Sequence, residues 1–95
     1  MTSYTAPIRD IRFAMDALGL LPALAELPGY TDATPDLRDA LLAEAGKLAE
    51  DLLAPVNFSG DKQGAVLKNG VVRTADGFKE AYAAYVEGGW NSLAF

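Results

Sequence analysis

The 95-residue sequence predicts an all-α fold, a small orthogonal bundle of about three principal helices with a short β-hairpin insertion. Apolar residues recur at three- and four-residue intervals in three segments, which places them on one side of a helix in each. Asn69-Gly70 lies between two short apolar runs, and this pattern is typical of a two-residue hairpin turn. Together these observations favour helices with one small hairpin.

The first segment predicts a helix, a bend and a helical turn. Pro7 suits the start of a helix, where its missing N–H is no loss, and Gly19 suits the end of one. A short second helix then begins at Pro22 and ends at Pro28-Gly29. The apolar positions of the first helix are Ile8, Ile11, Met15 and Leu18.

The second segment carries the strongest helix signal. Thr34 is a good N-cap, Pro35 takes the first helical position, and Asp36 complements the positive end of the helix. Pro55 is expected to end the helix near Leu53. The apolar stripe of this helix comprises Leu37, Leu41, Ala45, Leu48 and Leu52.

The third segment changes character. The stretch from Asn57 to Gly64 indicates a turn-rich connector, and a hairpin around Asn69-Gly70 follows. Because a lone two-stranded hairpin is marginal in water, we expect it to lie against another element. A last helix, capped by Thr74 and ended by Gly88-Gly89, completes the fold. Its buried face is predicted to comprise Phe78, Ala81, Tyr82, Tyr85 and Val86.

Composition and charge exclude several classes of function. The net charge is −5, and the basic residues are scattered, which argues against nucleic-acid and anionic-membrane partners. The chain has no Cys and no His, so it lacks thiolate metal ligands and the commonest general base. There is no secretory signal and no apolar run long enough to span a membrane. We therefore expect a soluble cytoplasmic protein.

Three polar clusters invite a chemical interpretation, but each favours a structural one. Arg9-Asp10 with Arg12 suits either an anion clamp or a solvated helix face with local ion pairs, and the second is the commoner case. The stretch from Asn57 to Gly64 lacks the acidic ligands of a calcium loop. The carboxylates of the second principal helix fit a solvated face better than an acid–base pair. They are Asp36, Asp39, Glu44, Glu50 and Asp51.

Known catalytic and cofactor motifs are absent from the sequence. The glycines form no dinucleotide or P-loop fingerprint. Ser3, Ser59 and Ser92 have neither a histidine nor a nucleophile-elbow context. We therefore assign no catalytic, cofactor-binding or metal-binding residue to this chain.

The closing stretch GGWNSLAF has the composition of a docking element. Trp90, Leu93 and Phe95 follow a Gly-Gly helix stop, and large apolar side chains in such a position favour contact with another part of a protein. We expect residues 1–95 to be one N-terminal helical domain, the front part of a larger protein, with these three side chains at an interdomain contact.

Several short motifs follow one another in order along nearly the whole chain. The motifs are Tyr4-x-Ala6-Pro7-x-x-Asp10-x-Arg12-Phe13, Leu27-Pro28-Gly29, Leu53-Ala54-Pro55-x-Asn57, Gly60-Asp61-x-x-Gly64, the run from Gly77 to Tyr82, and Gly88-Gly89-Trp90. In these motifs the sequence resembles the N-terminus of acyl-CoA dehydrogenases, and within that family the methylmercaptopropionyl-CoA dehydrogenase-like branch.

The resemblance implies a role without chemistry of its own. In that family an N-terminal helical domain precedes a β-domain and a C-terminal helical bundle. FAD binds between the latter two, and the carboxylate base that removes the α-proton of the acyl-CoA thioester lies in the C-terminal bundle. The resemblance therefore implies that this chain packs on the other domains and walls the acyl-CoA cavity of an FAD-dependent enzyme. The implied partners are the remaining domains, acyl-CoA and, as one candidate, further copies of the enzyme.

Two other functions stay open on the sequence alone. A stand-alone helical interaction module would use Trp90, Leu93 and Phe95 to dock on a partner or on its own copy. A small acidic carrier protein is disfavoured, because the chain has no Asp-Ser-Leu-type attachment serine and no dense acidic face.

Overall fold

The computed structural model describes residues 3–93 and shows a mainly helical chain with one hairpin, which confirms the predicted fold class. It divides into an N-terminal unit, Thr5–Lys47, and a C-terminal unit that contains the described residues from Leu48 onward with Ser3 and Tyr4. The helices are α1 (Ile8–Ala17), α2 (Leu20–Ala25), α3 (Pro35–Leu48), α4 (Ala54–Gln63) and α5 (Phe78–Glu87), with a π-helical segment Ala49–Leu53, a 3₁₀ turn Trp90–Ser92, and strands β1 (Val66–Lys68) and β2 (Val71–Arg73).

The start of the N-terminal unit confirms the predicted first helix and bend, whereas the second helix begins at Leu20 instead of Pro22 and ends at Ala25, before Pro28-Gly29. The carbonyl of Pro7 accepts a 3.0 Å hydrogen bond from the Ile11 N–H, so Pro7 lies directly before the first turn of α1. Gly19 ends α1 with φ of 62°, a left-handed conformation that a glycine adopts without strain. The chain then turns directly into α2, where Leu21 is buried.

Helix α3 begins as predicted but turns a different face inward. The Leu37 N–H donates a 3.2 Å hydrogen bond to Thr34 Oγ1, which confirms the N-cap. The predicted apolar stripe was wrong in part, since Leu37, Leu41 and Leu52 are all exposed. Ala45 and Leu48 of the predicted stripe are partly buried, and the stripe missed three other buried or partly buried positions. They are Arg38, Leu42 and Gly46.

The prediction that Pro55 ends the second helix was wrong. The helical path continues through the π-helical segment Ala49–Leu53 and into α4, with Pro55 in the first turn of α4. Proline has no N–H to donate and its ring crowds the carbonyl four residues earlier. A π-helical turn widens the backbone at that point, so the chain stays helical across the proline. The stretch from Asn57 to Gly64, predicted as a connector, is therefore mostly helix.

The hairpin confirms the turn chemistry predicted for Asn69-Gly70. Both residues have positive φ, 52° and 78°, which is what a two-residue turn between twisted antiparallel strands requires. The register pairs Leu67 with Val72 at the centre of the two strands. All six strand residues are exposed, so the covering element that we expected is not found among residues 3–93.

Helix α5 starts later and buries less than predicted. Its first residue is Phe78, and Gly77 takes the N-cap position with φ of 87°, so the assignment of Thr74 as the cap was wrong. Ala81 is buried and Tyr85 is half-buried, as expected. Phe78, Tyr82 and Val86 are exposed, Tyr82 by 65%, so the predicted buried face was wrong at these positions. The helix ends at Glu87, directly before the predicted Gly-Gly stop.

Candidate functional site

Trp90 packs against the end of helix α5. A Cβ atom added at Gly88 would lie 2.8 Å from Trp90 Nε1, so the indole ring covers the space beside this glycine. Gly89, at φ of 78°, reverses the chain between the helix and the 3₁₀ turn. The Gly-Gly-Trp motif thus has a local physical basis, because one glycine makes room for the ring and the other makes the turn.

Leu93 is the exposed member of the predicted docking set. The Ser92 hydroxyl donates a 2.8 Å hydrogen bond to the Gly89 carbonyl, and the Leu93 N–H donates to the Trp90 carbonyl at 3.2 Å. These bonds hold a short turn from which the Leu93 side chain stands 62% exposed. Trp90 is half-buried against its own chain, and Phe95 lies outside the described residues.

The C-terminal unit exposes many large apolar side chains in addition to Leu93. Extended apolar surface on a soluble protein marks contact with other protein or with a ligand. This surface includes side chains from the π-helical segment, from α4, from both strands and from α5. They are Leu52, Leu53, Phe58, Val66, Leu67, Val71, Val72, Phe78, Tyr82 and Val86.

Helices α4 and α5 meet at two glycines. A Cβ at Gly60 would lie 2.6 Å from Cζ of Phe78, and one at Gly77 would lie 2.7 Å from Cγ1 of Val56. The space beside each glycine is therefore occupied by a neighbouring side chain, and no ligand can enter it. The Gln63 side-chain oxygen accepts a 3.0 Å hydrogen bond from the Asp76 N–H, which joins the end of α4 to the loop before α5. Sequence reasoning missed this contact because it placed Gly60 in a turn.

A group of alternating charges joins α1 to α3 within the N-terminal unit. Arg38 is only 8% exposed, and its guanidinium donates to Asp16 Oδ1 at 2.5 Å and to Asp39 Oδ1 at 2.9 Å. Arg12 Nε lies 3.1 Å from the same Asp39 oxygen. The hydrogen bond that Arg38 donates to Asp16 raises the pKa of Arg38 above its ordinary value, aided by Asp39 and opposed by burial.

This cluster changes the interpretation of the first helix. Arg12 pairs with Asp39 of α3 rather than with its neighbour Asp10, so the ion pair is not local. Because both guanidinium groups are already held by carboxylates, the cluster is a brace between helices and the anion-clamp interpretation loses its basis. Sequence reasoning missed Arg38. The sequence feature that could have identified it is its helical spacing from Leu42 and Ala45, which places a long cationic side chain on the inward face of the helix.

The remaining acidic candidates lie on α3 and on the π-helical segment that follows it. Glu44 pairs with Lys47 at 3.2 Å on the exposed face of α3. No group of three or more carboxylate, imidazole or thiol side chains within residues 3–93 is placed to hold a metal ion. Ser59, in the stretch weighed as a cation loop, donates its hydroxyl to the Pro55 carbonyl of its own helix at 3.3 Å. No helix between Ser3 and Leu93 combines the length and hydropathy that crossing a bilayer requires.

Comparison with known proteins supports the resemblance seen in the motifs. No family model matches the sequence. The chain is 39% identical over 92 residues, 97% of its length, to the 3-methylmercaptopropionyl-CoA dehydrogenase of Ruegeria pomeroyi. It spans 16% of the length of that relative. The predicted resemblance to a methylmercaptopropionyl-CoA dehydrogenase is therefore confirmed.

Proposed function

We propose that this protein is the N-terminal helical domain of an FAD-dependent acyl-CoA dehydrogenase. The proposal is based on its similarity, over nearly the whole chain, to one segment of an acyl-CoA dehydrogenase. The observation that carries the proposal is the 39% identity to the Ruegeria enzyme over 97% of this chain. The chain spans 16% of the length of that enzyme. The intact enzyme would desaturate an acyl-CoA thioester between its α and β carbons, in cytoplasmic fatty-acyl metabolism.

The role that we assign to this domain is packing and exclusion of water. Leu93 and Phe58 of the C-terminal unit expose apolar side chains of the kind that another domain covers. A wall of this kind keeps water from a reacting thioester and fixes its orientation, without moving a proton itself. The described residues supply no acid–base set, so catalysis by the chain alone is not part of the proposal.

Among residues 3–93, the two glycines where helices α4 and α5 meet do not fit FAD. A flavin pyrophosphate is bound where backbone N–H groups approach it closely at glycines next to a helix start. The glycines at the α4–α5 contact, Gly60 and Gly77, are filled by Phe78 and Val56. We therefore assign flavin binding, and the hydride transfer that needs it, to the remaining domains of the intact enzyme.

The proposal is tested by removing the matched 92-residue segment from the Ruegeria relative. The shortened relative is expected to lose acyl-CoA dehydrogenation, because its cavity and its interdomain surface are opened to water. Adding this chain in trans is a second arm, in which partial recovery of activity supports the proposal. Full activity in the shortened relative, or stoichiometric FAD binding by this chain alone, contradicts it.

A stand-alone interaction module is the second candidate, and the 62% exposure of Leu93 favours it as well. The two functions differ in what covers that side chain. The dehydrogenase domain needs the other domains of one enzyme, whereas the module needs a separate partner. Rescue of the shortened relative by this chain would support the dehydrogenase domain over the interaction module.

A further inference from the structure

We propose that the β-hairpin of one copy of this chain docks on helix α5 of a second copy. The hairpin consists of β1 and β2, whose six residues are all exposed. Two strands alone are marginally stable in water, so a surface that covers one face would stabilise them. The inference does not rest on the proposed function, because it uses only the charges and geometry of this chain.

The hairpin segment is basic within an acidic chain. From Val66 to Arg73 the sequence holds two basic side chains and no carboxylate, while the whole chain carries a net charge of −5. Lys68 and Arg73, the basic residues of the strands, take part in none of the ion pairs between residues 3 and 93. The positively charged hairpin is therefore suited to bind an acidic surface, and this chain has a net negative charge.

Lys68 and Arg73 lie on the same face of the hairpin. The register pairs Val66 with Arg73 and Lys68 with Val71, and side chains alternate between faces along a strand. This face therefore carries two cations at diagonal positions, about 7–8 Å apart, and two valines. Val66 and Val71 are 50% and 54% exposed, so the face is apolar between its charges.

Helix α5 presents a matching arrangement of opposite charge. Glu80, Ala83 and Glu87 are exposed and follow at intervals of three and four residues, so they share one face. The two carboxylates lie two helical turns apart, about 10 Å, a span that lysine and arginine side chains reach. Ala83 is small and leaves room between them for a valine. Neither glutamate takes part in an ion pair within the described part of the chain.

The hairpin and α5 belong to the same unit, so a two-fold pair of chains makes the contact twice. Each contact brings two cations to two carboxylates around an apolar centre. Exposed ion pairs are individually weak and are screened by salt. The association is therefore expected to be modest in strength and to weaken as the salt concentration rises.

Sedimentation velocity on the purified chain tests the inference. The monomer has a mass of 10.0 kDa, and the weight-average mass is expected to rise toward twice that value with concentration at low salt. At about 0.5 M NaCl the association constant is expected to fall about tenfold. A chain that stays at the monomer mass in the high micromolar range at low salt overturns the proposal.

A charge exchange makes the test specific. Lys68→Glu with Arg73→Glu, and separately Glu80→Lys with Glu87→Lys, are each expected to abolish self-association because like charges then face each other. Mixing the two variants restores opposite charges at both contacts, so the mixture is expected to form a heterodimer. Dimers of either variant alone, or no heterodimer in the mixture, overturn the proposed contact.

Two controls keep the result interpretable. Arg9→Glu with Lys47→Glu changes the net charge by the same amount outside the hairpin, and this variant is expected to associate like the unmodified chain. Loss of association in this control as well overturns the role of the hairpin. Far-ultraviolet circular dichroism of every variant checks that the helices remain. The single variants Lys68→Glu and Glu80→Lys replace any double variant that fails to fold.

Discussion

The ring of Phe78 fills the space in which a side chain at Gly60 would stand, with its Cζ atom 2.6 Å from the position of a Cβ there. Helices α4 and α5 can approach this closely only because residue 60 has no side chain. Ala75 lies 3.6 Å from the same position and closes the contact. This contact positions α5, and with it Trp90 and Leu93, in the C-terminal unit.

Gly60→Ala is expected to destabilise the chain, whereas Gly46→Ala is not. Both glycines are buried in helices, and both changes gain about 1 kcal/mol of helix propensity. At Gly60 the ring of Phe78 must move, and overpacking of this kind costs about 1–3 kcal/mol, so the net loss is about 1 kcal/mol. At Gly46 the nearest atom, Ile8 Cδ1, is 3.4 Å away, so no large shift is needed.

Urea unfolding followed by circular dichroism measures both free energies. Phe78→Ala removes the atoms that obstruct a Cβ, so combining it with Gly60→Ala is expected to cost less than the sum of the two single changes. Additive effects of the two changes would mean that the ring and the glycine do not share one space.

Arg38→Met is expected to destabilise the N-terminal unit more than Lys47→Met. Arg38 is buried with two carboxylates against its guanidinium, whereas the Lys47–Glu44 pair is exposed and worth about 0–1 kcal/mol. Removing the arginine leaves Asp16 and Asp39 without the cation that joins them. Hydrogen exchange of the α1 amides, with the α5 amides as an internal reference, reports the change. Equal exchange of α1 in the two variants would contradict the bracing role.

The contribution of Arg38 is expected to be independent of pH across the neutral range. Its pKa is raised in the folded state, so the stability that it adds is fully present below the ordinary pKa of an arginine and is lost only as the pH rises through the raised pKa. The free energy of unfolding of Arg38→Met, relative to the unmodified chain, should therefore be the same at about pH 7 and about pH 10. A difference that shrinks over this interval would show that another group carries the effect.

Trp90→Ala and Leu93→Asp are expected to separate folding from docking. The indole of Trp90 packs on Gly88, so its loss should cost about 1–2 kcal/mol in the isolated chain. Leu93 is largely exposed, so Leu93→Asp should change the free energy of unfolding by less than about 0.5 kcal/mol. In the trans experiment with the shortened relative, Leu93→Asp should nevertheless weaken rescue. Unchanged rescue would remove Leu93 from the interdomain contact.

Features determined by neighbouring residues in the chain were predictable. Thr34 caps α3 because its hydroxyl oxygen accepts a hydrogen bond from the N–H three residues later. Asn69-Gly70 forms the turn because both residues tolerate positive φ. The Gly88-Gly89 stop follows the same logic. In each case the partner lies within a few residues, so the sequence pattern contains the whole interaction.

Features determined by distant partners were not predictable. Arg38 turns inward because Asp16, 22 residues away, receives its guanidinium, and no periodicity of apolar residues contains that pairing. Gly60 lies within α4 with the ring of Phe78 in the space beside it, although a glycine in isolation indicates a turn. The backbone stays helical at Pro55 because a π-helical segment precedes it, an uncommon adjustment that local propensities do not predict.

The most direct test of the proposed function is a chimaera in which this chain replaces the matched segment of the Ruegeria relative. Dehydrogenation of the acyl-CoA substrate by the purified chimaera is measured beside its flavin content and thermal unfolding. We predict that the chimaera carries a full complement of flavin and has activity within about tenfold of the parent, about 1.4 kcal/mol in transition-state energy. A chimaera that folds and binds flavin but does not oxidise acyl-CoA would contradict the assignment of this chain as a dehydrogenase domain.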